Sequence, residues 1–135
     1  MQNNEVQILG LYNQYTSIST SDAWPTCALE EPGSVFMGGA FVTRFKSDGT
    51  CEFARSVTGL KQKFDAQISA SADGSSTLKV IVGADSIQPP KGMPTTVTIW
   101  KGYQSPYRTV PTKLDDVLSI SFGATGDLSS VVINP

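Results

Sequence analysis

Twelve carboxylates, ten lysines and arginines, four tyrosines, two tryptophans and two cysteines are the groups with which this chain could do chemistry. It has no histidine. Without imidazole there is no Ser-His-Asp or Cys-His arrangement, no ordinary general base at neutral pH, and few ways to hold zinc. Nor do the carboxylates pair for acid/base work. Asp48, Asp73 and Asp127 adjoin glycines in turn-like stretches, where an aspartate bonds nearby backbone amides. Ser71-Ala72-Asp73-Gly74-Ser75-Ser76 lacks the alternating oxygen ligands of a calcium loop. Asp115 and Asp116 are adjacent, so on a strand they would face opposite ways. Glu30 and Glu31 lie in a long irregular stretch. Gly38-Gly39 sits inside an apolar run with no Gly-Lys-Ser/Thr after it, which excludes a phosphate loop. No catalytic residue, metal ligand or cofactor is expected, and the chain reads as non-enzymatic.

Two sets of side chains remain as binding candidates. Trp100, Tyr103, Tyr107 and Arg108 lie within nine residues, and Trp24 stands in the first long loop. Tyr and Trp give large, stiff contact area for a sugar ring or a protein surface. Trp100 is expected at the core or rim of a sheet, and Tyr103 and Tyr107 on the surface. The second set is basic: Arg44, Lys46, Arg55, Lys61 and Lys63 gather on one hairpin and its continuation. Such charges guard a sheet edge or dock an acidic neighbour. For Cys27 and Cys51, two reduced thiols are expected, with a disulfide as the alternative.

Short strands must position these groups. Residues 5–12 alternate, with Val6, Ile8 and Tyr12 on one face. Residues 13–34 hold Pro25, Pro32 and a Ser/Thr run, and read as a loop that covers or binds something. Residues 35–57 form a hairpin turning at Asp48-Gly49. Its first arm is apolar on both faces: Val35, Met37, Phe41 and Phe45 on one, Phe36, Ala40 and Val42 on the other. Phe36, Val42, Arg44 and Arg55 are therefore assigned to an assembly face. A turn at Thr58-Gly59 is predicted next. The cleanest alternation follows, from Phe64 to Ala72, then a turn at Asp73-Gly74 and a strand over 77–82. Residues 84–95 and 102–112 read as proline-marked loops around a strand at 96–101. Strands at 117–123 and 128–133 close the chain.

About eight strands, little or no helix, and mostly short hairpin connections predict a single all-β domain over 1–135, a β-sandwich or a closed barrel. Only 16% of residues are charged, and the net charge is −2. That argues against nucleic acid as a partner. No apolar run approaches the roughly 20 residues of a membrane span. The opening Met-Gln-Asn-Asn-Glu-Val lacks the basic and apolar regions of a signal peptide, so synthesis in the cytoplasm is expected. Together these features point to a structural protein that contacts copies of itself and other assembly proteins, as in a virus or phage particle. The alternatives are a small barrel holding an apolar or carbohydrate ligand, and a cofactor-free cyclase or isomerase.

Overall fold

The computed structural model describes residues 5–13, 28–33, 36–62 and 66–135. Two antiparallel sheets face each other as an open sandwich and do not close into a barrel. The strands are β1 (Val6–Tyr12), β2 (Met37–Phe45), β3 (Cys51–Lys61), β4 (Gln67–Ala70), β5 (Ser76–Ile81), β6 (Pro94–Gly102), β7 (Ser105–Lys113), β8 (Val117–Phe122) and β9 (Leu128–Ile133). Sheet A has the order β1-β2-β3-β6-β7, and sheet B the order β4-β5-β8-β9. The chain changes sheet after β3, β5 and β7, so neighbours such as β3 and β6 are brought together by crossovers rather than by an up-and-down path.

Period-2 alternation builds the core. Leu78 and Val80 on β5, Leu118, Ile120 and Phe122 on β8, and Val97 and Ile99 on β6 point inward and are buried. The β5 and β8 residues of sheet B meet those of β6 together with Ala40 and Val42 of β2 and Phe53 and Val57 of β3, all from sheet A. The outward side of sheet B carries hydroxyls instead. Ser69, Thr77, Ser121 and Ser130 fall in one register row across all four strands, and Thr77 and Ser121 hydrogen-bond at 3.0 Å. This is where a chain with few charges finds its polar surface.

Three hairpin turns share one frame. The amide of Lys46 donates to the carbonyl of Thr50, and that of Gly49 to Lys46. The same two bonds recur at Ser71, Gly74 and Ser75, and at Gly123, Gly126 and Asp127. The glycine three places along, Gly49, Gly74 or Gly126, has φ of +87°, +93° or +84°, as a three-residue loop with a left-handed last position requires.

Several sequence expectations are corrected. Residues 102–112 are not a loop: most of them form β7, which tolerates Pro106 and Pro111 because it is an edge strand. Thr58-Gly59 is not a turn, since β3 runs on to Lys61. Gly59 instead makes a bulge, at φ +95°, against Gly38 and Gly39. The clean alternation at 64–72 yields only the four-residue β4, exposed throughout, because it lies at the edge of its sheet. Phe64 lies outside the described residues.

Candidate interaction surface

The residues assigned to an assembly face do not share one exposed surface. Val42 points into the core at 0% exposure, and Phe41 occupies the outer face of β2. The strand is covered on both sides, as its composition predicted, but with the two faces exchanged. Arg44 is 3% exposed. Its Nε and Nη2 donate to Gln7 Oε1 at 2.9 and 2.6 Å, Nη2 also donates to the Gly74 carbonyl at 2.6 Å, and Nη1 donates to the Ala124 carbonyl. Arg55 donates to the carbonyls of Gly126 at 2.8 Å and Lys101 at 3.1 Å. Both guanidinium groups lie over the Phe53 ring, at 4.7 and 5.0 Å from its centre. Burial lowers the Arg55 pKa, while Tyr107 and Asp127 oppose the shift. This Arg-Phe-Arg stack fastens two turns of sheet B to sheet A. It is a clamp inside the molecule, not a patch for an acidic partner. Phe36 precedes β2 and is exposed, beside a cleft of about 220 Å³ that it lines with Lys61, Gly83, Ser86 and Leu114.

The aromatic set is divided. Trp100 lies on the outer face of sheet A, half-buried, and its indole donates to Thr58 Oγ1 at 2.9 Å. Tyr107 sits at a register shift between β6 and β7 and packs toward the core. Its hydroxyl meets Asp127 Oδ1 and the Leu128 amide, each at 3.3 Å, and Lys101 Nζ lies 4.6 Å above its ring. Tyr103 is half-buried in the β6–β7 turn, and Arg108 is exposed on β7. These side chains do not share one face, so they make no common platform. Trp24 lies outside the described residues.

Several carboxylates serve the fold. Glu30 belongs to a strap, 28–33, across the outer face of sheet A. Its carbonyl accepts the Tyr12 hydroxyl at 2.5 Å, its amide donates to Ser56 Oγ at 3.2 Å, and its carboxylate accepts the Gln104 amide at 2.6 Å. Burial raises the Tyr12 pKa; a hydrogen bond with Ser56 opposes this and the Glu30 charge adds to it. Tyr12 lies flat against β2, where a Cβ on Gly39 would come within 2.5 Å of its ring. That close approach is why glycine interrupts an apolar strand. Among the described residues, no three of Asp, Glu and Cys converge as a metal site would need. Cys51 is disulfide-bonded rather than reduced; Cys27 lies outside the described residues.

Asp48 and Asp73 accept the hydroxyl and amide of Thr50 and Ser75 respectively, at 2.7–3.0 Å. Those bonds, the hydroxyl first, hold both carboxyls below the usual carboxylate value. A depressed folded-state pKa gives stability that is fully present above the unfolded value, about 3.9, and is lost as pH falls through the folded one. The double variant D48N/D73N should therefore lose less stability than wild type as pH falls below about 4. Urea midpoints across that range measure it, and identical acid limbs would contradict it.

No protein-family model, curated protein or solved structure matches this chain.

The edges of the sheets remain, and they are unequal. On sheet A, β7 carries Pro106, Arg108, Pro111 and Lys113 and two register shifts. On sheet B, β4 has four residues. β9 begins at a register shift and has its first amide bonded to Tyr107. Each carries a device that discourages added strands. β1 has none. Val-Gln-Ile-Leu-Gly-Leu-Tyr holds no charge and no proline, and all seven residues pair with β2 without a shift. Among the described residues β1 pairs with no other strand. Val6 and Ile8 share the outer face with Tyr12, as predicted, and are 53% and 45% exposed.

Proposed function

We propose that this protein is a non-enzymatic assembly component that joins neighbouring copies by strand addition at β1. The observation that carries this reading is the edge: a seven-residue uncharged strand that, among the described residues, pairs on one side only and holds two exposed β-branched side chains. Such an edge is a template for another strand, and proteins that stay single usually blunt it. Added strands gain affinity from main-chain hydrogen bonds and specificity from alternate side chains. Low charge and hydroxyl-rich outer faces suit a subunit of a large particle such as a virus capsid, where surfaces are buried against neighbours. The Cys51 disulfide suits an oxidising setting such as a particle exterior. Sedimentation equilibrium tests the reading. The average mass should rise above the 14.4 kDa of one chain as concentration increases. A mass fixed at that value throughout would contradict it.

A further inference from the structure

We infer that the strand added at β1 is the β1 of a second copy, antiparallel about a two-fold axis through Leu9, which joins two five-stranded sheets into one of ten. This rests on the assembly reading above and assigns its partner and register.

The choice of partner follows from the edges. In a pair of identical molecules, β7 and β4 are hindered from strand addition by prolines, charges or shortness, and β9 by its shift and its Tyr107 contact. The open edge of one copy therefore finds its match in the open edge of the other. Contact between the same patches closes on itself at two copies, whereas β1 against a different edge would form a larger ring or an open chain.

Charge and shape favour the same pairing. No residue from Val6 to Tyr12 is charged, so two copies meet there without like-charge repulsion. Centring on Leu9 uses all seven residues and sets Val6 opposite Tyr12, Gln7 opposite Leu11, Ile8 opposite Gly10, and Leu9 opposite itself. On the outer face this places a β-branched side chain against an aromatic one and another against glycine. Cross-strand pairs of the first kind stabilise sheets. The exposed Val6 and Ile8 of both copies are covered. On the inner face, Leu9, which packs beside the core, meets its own copy and carries the apolar layer across the axis.

Directly opposed residues in an antiparallel pair have Cα atoms about 4.5–5.5 Å apart, within the span of a disulfide. Leu9→Cys should therefore yield a covalent dimer under mild oxidation. Leu11→Cys, which stands opposite Gln7 and four places from its own copy, should not. Wild-type mass should level off at two chains, a measurement that holds even if a variant folds poorly. Association with no Leu9→Cys dimer, with equal cross-linking of Leu11→Cys, or with mass growing past two chains would overturn the symmetric pairing and leave the assembly reading standing. A monomer at every concentration would remove both.

Discussion

Replacing Arg44 with methionine should lower stability by about 3–4 kcal/mol, a large share of the 5–15 kcal/mol that holds a domain of this size together. Methionine fills much of the same volume, so the loss is mainly electrostatic. Hydrogen bonds from a charged donor are worth about 1.5–3 kcal/mol each, and a buried carbonyl left without a partner costs about 1–3 kcal/mol. Arg44 serves the carbonyls of Gly74 and Ala124 together with Gln7, at 3% exposure. Arg44→Lys keeps the charge but not the planar fork, and should recover only part of the loss. Urea midpoints of the three proteins measure this. If Arg44 were instead a solvated charge guarding a strand, both variants would fall within about 0.5 kcal/mol of wild type. That result would dismiss the clamp.

Gly59→Ala should cost about 3 kcal/mol or more, for two separate reasons. The residue holds φ +95°, where an L side chain is strained. Its new Cβ would also lie 2.5 Å from the Thr96 carbonyl oxygen and 3.2 Å from Val97 Cα. Both are backbone atoms of the neighbouring strand β6, so relief means shifting the centre of sheet A. Gly49→Ala isolates the first reason. It has φ +87° but nothing within 4 Å of the added carbon, and should cost only about 1 kcal/mol. Equal losses at the two sites in thermal or urea unfolding would show that the close approach at the bulge has no weight.

The all-β class was legible from alternation, and the turns from their aspartates and glycines, because both are local. Asp48-Gly49 and Asp73-Gly74 demand positive φ within a few residues, and no distant contact overrides that demand. What failed was whatever depends on position in a sheet. Pro106 and Pro111 look like loop markers until β7 is known to be an edge. Gly59 looks like a turn because a bulge and a turn ask the same conformation of one residue. The faces of β2 were exchanged because Phe41 is large enough for a core, yet the core took Ala40 and Val42 while Tyr12 and Phe41 met on the outside, with ring centres 6.0 Å apart.

The candidate site was half legible. Val6, Ile8 and Tyr12 were placed on one face from spacing alone. That this strand ends its sheet among the described residues follows only from strand order, which no local pattern encodes. Arg44 and Arg55 misled for the same reason. Their surroundings are turns 30 to 80 residues away in sequence, and a basic residue reads as exposed until those turns fold over it.

Association through β1 is read by sedimentation equilibrium of wild type beside Ile8→Lys. Ile8 is on the surface of one molecule, so lysine there should leave the urea midpoint within about 0.5 kcal/mol of wild type. The lysine would, however, place a charge on the open edge, the device by which other edges resist added strands. Wild type should associate as concentration rises, and Ile8→Lys should stay at one chain. Equal association of the two proteins, or a wild type that remains a monomer, would contradict association through β1.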